Sequence, residues 1–118
     1  MILVDTSVWV DHLRSGNRTL AALLLGEQVL THPFIIGELA CGAIRHRRAI
    51  LGHLTRLPRA AVADDNEVMA LVESRRLFGR GIGWVDAHLL ASALLSHARL
   101  MTLDLRLTRL GKAVGVVE

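Results

Sequence analysis

Ile2-Leu3-Val4-Asp5-Thr6-Ser7-Val8-Trp9 passes from three apolar residues to an acid, and then to two hydroxylated residues that can cap a helix. A short apolar run of this kind reads as a buried strand, with Asp5 at its carboxyl end and a helix from about Val8 to Arg14. Working outward, a second helix runs through Leu20, Leu23 and Leu24 to Gly26, and Gln28 to Thr31 is a second strand. Pro33 suits the first turn of a helix reaching about Arg48, continued from Arg48 to Leu57 until Pro58 ends it. Arg59 to Ala63 is a weak third strand. The acids Asp64, Asp65 and Glu67 open a helix to about Leu77, where they complement its dipole.

Beyond the breaks at Gly79, Gly81 and Gly83, the stretch Trp84 to Ala98 is apolar on most faces and predicts a central helix packed on two sides. Arg99 to Leu103 reads as a strand, Leu105 to Leu110 as a short helix and Ala113 to Val117 as a last strand. Strands alternating with helices give an α/β class: three layers, with a mostly parallel central sheet flanked by helices. With 118 residues, 52% of them apolar and 21% charged, one domain spanning 1-118 is expected. A lone cysteine, Cys41, excludes an internal disulfide or a cysteine metal cluster and points to a reducing compartment, hence the cytoplasm. The start of the chain lacks a signal-peptide pattern, and no apolar run reaches the roughly 20 residues of a membrane span.

Most of the eleven acids have plain structural explanations, but four do not. Glu38 has Phe34, Ile35, Cys41 and Gly42 at helical spacing, so it projects from an apolar or small face. Asp86 sits in the first turn of the most apolar helix. Asp5 and Asp104 each follow a strand and precede a helix, the place where open parallel sheets bind ligands; as helix caps, either would need no ligand. Should the four converge, they would repel one another unless a cation sat among them. An all-oxygen set without a His or Cys pair favours Mg²⁺ or Mn²⁺. Such ions can activate water and stabilise a leaving oxygen in phosphodiester cleavage.

Charge arithmetic agrees with a phosphate substrate. The net charge is +3, and setting the four acids aside leaves 14 basic against 7 acidic residues. Arg45-His46-Arg47-Arg48, Arg75-Arg76 with Arg80, and Arg106-Arg109-Lys112 are candidate contacts to a nucleic-acid backbone, although solvated helix faces would look similar.

Ile2 to Trp9, Pro33 through Glu38-Leu39, Trp84-Val85-Asp86-Ala87-His88-Leu89-Leu90-Ala91 and Leu100-Met101-Thr102-Leu103-Asp104 occur in this order along essentially the whole chain. In these motifs the sequence resembles the PIN-domain ribonucleases, and among them the VapC-type toxins of bacterial toxin-antitoxin pairs. The resemblance implies a PIN-like fold and a Mg²⁺-dependent endoribonuclease, with Mn²⁺ as a substitute and Asp5, Glu38, Asp86 and Asp104 as the acidic quartet. It implies Asp5 and Asp86 as metal ligands, joined by Asp104 and Glu38 directly or through water, and Ser7 as a supporting hydrogen-bonding residue. It further implies an RNA substrate, a cognate antitoxin and a homodimer. Leu107 stands where the family often has an aromatic, a departure that concerns packing. The competing reading is a PIN-like module that grips RNA or a protein without cutting. A haloacid-dehalogenase-like phosphatase is disfavoured because Ser7 occupies the place of its second Asp, and a phosphorelay receiver because no Asp lies between Asp11 and Asp64.

Overall fold

The computed structural model describes residues 1–118. Three parallel strands, β1 (Ile2–Val4), β2 (Val29–Leu30) and β3 (Arg99–Met101), pair in the order β2-β1-β3. Ile2 faces Val29 on one side and Arg99 on the other, which places Val4 opposite Met101 at the end of the ladder. The central strand is covered on both faces, and Leu3 and Val4 are fully buried; hence its unbroken apolar run.

Seven helices surround the sheet: α1 (Thr6–Ser15), α2 (Arg18–Leu25), α3 (Pro33–Cys41), α4 (Arg47–Arg56), α5 (Asp65–Ser74), α6 (Trp84–Leu95) and α7 (Leu105–Val114). Local chemistry fixes where they start. Asn17 Oδ1 accepts from the Leu20 amide to cap α2, and Asp64 and Glu67 form a reciprocal capping box on α5. His32 caps α3 by accepting from the Phe34 amide, with Pro33 at the first helical position. Every residue of α6 from Ala87 to Ala93 is buried, as its all-round apolar sequence demands, and α6 packs against both α5 and β3.

Several expected boundaries move. The helix from Pro33 does not run to Arg48: it ends at Cys41, and His46 takes a left-handed conformation (φ 53°) before α4 begins. The Arg47 guanidinium donates twice to the Ala40 carbonyl and satisfies the end of α3. α6 stops at Leu95 and not at Ala98, because the chain turns left-handed at His97 (φ 50°). Arg59 to Ala63 forms no strand, only a single parallel bridge between Thr31 and Arg59. Ala113 to Val117 is not a strand either, since α7 extends through Val114. Gly115 (φ 88°) turns the chain back, so that the Val116 carbonyl accepts from the Leu100 amide at 2.8 Å. Thr6 and Ser7 are not the cap of α1; they are its first two residues, and Asp5 occupies the cap position.

Candidate active site

All three strands end on the same side, and the turn from β1 into α1 lies beside the turn from β3 into α7. The Asp5 amide donates to the Met101 carbonyl at 2.9 Å, which carries the β1–β3 ladder one residue further and buries Asp5 to 7% exposure. Although Asp5 holds the cap position of α1, its carboxylate makes no capping bond. It turns instead to two hydroxyls: Ser7 Oγ donates to Asp5 Oδ2 at 2.7 Å and Thr102 Oγ1 donates to the same oxygen at 2.8 Å. Each hydroxyl is itself fixed by a backbone donor, the Leu103 amide on Ser7 at 3.0 Å and the Asp104 amide on Thr102 at 3.1 Å. Two short relays from the β3–α7 turn thus converge on one oxygen and leave Asp5 Oδ1 without a protein donor.

Asp104 is exposed and caps α7, its Oδ1 accepting from the Arg106 and Leu107 amides at 2.8 and 3.1 Å. One oxygen is therefore structural and the other is left over. Asp86, half-buried in the first turn of α6, reaches back to the Gly83 amide at 3.4 Å. Burial pushes the Asp86 carboxyl above the usual aspartate range, and the negative charges of Asp5, Asp104 and Glu38 push it further, against the opposing Gly83 hydrogen bond. Glu38 is exposed and not, as its helical neighbours suggested, buried on an apolar face; its Oε1 accepts from Thr6 Oγ1 at 2.7 Å.

The structure thus brings the four acids into one electrostatic neighbourhood, and no cation of the chain joins them. The close contacts between basic and acidic side chains, His88 with Asp65 and Arg99 with Glu118, involve none of the four. No three of the carboxylates or imidazoles close into a cage of ligand spacing. An all-oxygen set with an unused, solvent-reaching oxygen on Asp5 and a destabilised anion on Asp86 fits a hard divalent ion that keeps much of its water shell. Asp5, Asp86 and Asp104 are the side chains that could hold it.

A model of the PIN domain matches residues 2–113. The chain belongs to the PIN-domain family. It is 50% identical over 108 residues to the protein named ribonuclease VapC32 from two strains of Mycobacterium tuberculosis, CDC 1551 / Oshkosh and H37Rv, covering 91% of this chain and 87% of the relative.

Within this PIN domain, Leu107 is fully buried in the core, so the missing aromatic is replaced by well-packed aliphatic volume. One arginine of each basic cluster is engaged by the chain itself: Arg47 caps α3, Arg75 reaches the Ala113 carbonyl, and Arg106 lies against Gly81. The sequence offered no role for Thr102, and for Thr6 only that of a helix cap. His32 was also passed over. Burial first, then the charges of His88 and Arg59, lowers its pKa from 6.5 to about 4. With Nδ1 accepting from the Phe34 amide, its Nε2 proton faces Ser92 Oγ at 3.1 Å, which ties α3 to α6 beneath the acids.

Proposed function

We propose that this PIN domain, acting as a single unit over residues 1–118, is a Mg²⁺- or Mn²⁺-dependent endoribonuclease of a toxin-antitoxin pair. The observation that carries this reading is the uncompensated acid cluster around a buried Asp5 whose second oxygen is kept free by two hydroxyls. Similarity to a protein named as a ribonuclease supports the choice of RNA. When bound, the divalent ion would supply Lewis-acid stabilisation of phosphoryl charge and a more acidic water. Ser7 and Thr102 hold the Asp5 carboxylate in one orientation, so that its Oδ1 is presented without rotamer search. Asp86 contributes a carboxylate made reactive toward cations by burial and like charge. Glu38, tethered by Thr6 through one oxygen, keeps the other available to orient the attacking water.

The same unbalanced charge explains how an antitoxin would silence the enzyme. An arginine or lysine from a bound tail would take bidentate or single contacts among the four acids and occupy the space of metal and phosphate. The protein is further proposed to act in the cytoplasm, where the single exposed Cys41 stays reduced, and as a homodimer built on exposed apolar side chains such as Met69 and Leu95. No helix is long and apolar enough to cross a membrane. Expression of the wild-type chain alone should arrest growth, the Asp5→Asn chain should not, and co-expression of the antitoxin should restore growth. Harmless expression of a soluble wild-type chain contradicts the toxin role, and undiminished arrest by the Asp5→Asn chain contradicts the assignment of the site.

A further inference from the structure

Glu38 and Asp86 stand on different helices, α3 and α6, and neither bonds across: Glu38 Oε1 accepts from Thr6 Oγ1, and Asp86 reaches back to the Gly83 amide at the start of its own helix. The sheet does not set their spacing directly, since α3 follows β2, α6 precedes β3, and β1 lies between those strands. What joins the two helices is one buried hydrogen bond and a file of rings. His32 Nε2 lies 3.1 Å from Ser92 Oγ, both residues are fully buried, and this is the one hydrogen bond between α3 with its cap and α6. Phe34 meets His32 and His88 edge-on at centroid distances of 5.2 and 4.7 Å, and His88 meets Trp84 at 4.8 Å.

These contacts order the helices. A step along the chain from His32 to Phe34 moves the partner on α6 back from Ser92 to His88. Glu38 is one turn beyond Phe34 and Asp86 is two residues before His88, so the file leads toward both acids. The Glu38 charge is accordingly among those that raise the Asp86 carboxyl. Like charges repel, and here their repulsion acts to part the helices. Ser92 is held so as to resist it: its Oγ also accepts from the Ala63 amide at 3.4 Å, and one turn on, Ser96 Oγ accepts from the Ala61 amide at 2.8 Å. The segment before α5 is thereby fastened along α6, on the side that meets His32.

We infer that His32 and Ser92 are positioning residues of the acid site: their hydrogen bond fixes how far Glu38 on α3 stands from Asp86 on α6. The inference rests on the ribonuclease reading for its kinetic readout and on the helix contacts alone for its structural one. Substitution separates the two nitrogens of His32. His32→Asn keeps an acceptor for the Phe34 amide and loses the tie to Ser92, whereas His32→Gln carries a donor out toward Ser92 and loses the cap. RNA cleavage with Mn²⁺ gives kcat and KM for these proteins, for Ser92→Ala, and for Ser92→Ala combined with Glu38→Gln. Hydrogen exchange without metal reads the local opening of α3, and urea titration reads stability. His32→Asn and Ser92→Ala should lower kcat about tenfold with KM within about twofold, because small displacements of a reacting group are costly. His32→Gln should recover most of kcat even where the lost cap lowers stability, and Ser92→Ala should cost no further kcat once Glu38 is replaced. Exchange at the Glu38 and Leu39 amides should rise about tenfold in His32→Asn and Ser92→Ala and stay near wild type in His32→Gln. Should Ser92→Ala fail to fold or Glu38→Gln fail to cut, the two His32 proteins decide. A kcat that follows stability across the set, or the same loss from Ser92→Ala with and without Glu38, overturns the inference. If the wild type never cuts RNA, the ribonuclease reading falls by itself and the exchange pattern alone upholds or overturns the tie; cleavage indifferent to loss of the tie does the reverse.

Discussion

Replacing Thr102 with valine removes one oxygen and keeps the shape, and the structure says what that oxygen does. It donates to Asp5 Oδ2 at 2.8 Å and accepts from the Asp104 amide at 3.1 Å. The first bond is to a buried carboxylate, and hydrogen bonds to charged groups contribute about 1.5–3 kcal/mol. The second leaves an amide at an exposed turn, where water replaces the lost acceptor at little cost. Thr102→Val should therefore destabilise the protein by about 2 kcal/mol, which for a chain of this size lowers Tm by roughly 8 °C. The partner's charge supplies the control. In an Asp5→Asn background the bond is neutral, so the same substitution should cost about 1 kcal/mol, leaving a coupling of about 1 kcal/mol in the double-mutant cycle. Urea titrations of the four proteins at pH 7 measure this, and RNA cleavage by Thr102→Val should fall as Asp5 loses its fixed orientation. A loss below about 0.5 kcal/mol, or the same loss in both backgrounds, would refute the claim that Thr102 acts through the Asp5 carboxylate.

Three other perturbations separate site residues from structural ones. Because the folded state holds the Asp86 proton above pH 3.8, where the unfolded chain has released it, ionisation of Asp86 costs stability as pH rises through its raised pKa. Asp86→Asn should accordingly keep or raise the urea midpoint at pH 7 while abolishing RNA cleavage; a clear drop in stability would show the carboxylate to be a structural partner. His32 has the opposite sign: its pKa falls from 6.5 to about 4, so the unfolded chain binds the proton first and up to about 3 kcal/mol is lost as pH drops through that window. His32→Asn retains an acceptor for the Phe34 amide and should flatten the difference between urea midpoints at pH 7 and pH 4.5; equal losses in both proteins would remove His32 as the cause. Glu38→Gln should lower cleavage and leave Tm nearly unchanged, since Glu38 is exposed and its bond from Thr6 survives as a neutral one; wild-type turnover would exclude it from the chemistry.

The fold class and the site were legible to different depths. Ile2-Leu3-Val4 read as a buried strand because periodicity fails where both faces are covered, and α6 read as a central helix for the same reason; that β1 lies in the middle of the sheet came only with the structure. The placement of Asp5 and Asp104 at strand ends followed from topology alone. Helix ends did not, because they hang on tertiary partners: α3 stops where Arg47, six residues beyond its last residue, reaches back to Ala40, and α7 absorbs an expected strand because Gly111 lets Val116 and Val117 pack onto it. The depth of Glu38 was misjudged since its apolar helical neighbours say nothing about where α3 leaves the core. Thr102 escaped because its role depends on a residue 97 positions away, a pairing only the β1–β3 register creates.

The acid cluster around Asp5 is proposed to cut RNA with the help of a divalent ion. Its most direct test is cleavage of a labelled single-stranded RNA by purified wild-type and Asp5→Asn proteins, each with Mg²⁺, with Mn²⁺ and with chelator, beside calorimetric titration of Mn²⁺ into both proteins. Internal cuts by the wild type are expected with either ion, none with chelator, none by Asp5→Asn under any condition, and Mn²⁺ binding that weakens sharply in the variant. Cleavage that persists in chelator or in Asp5→Asn protein, or equal Mn²⁺ binding by the two, would contradict it.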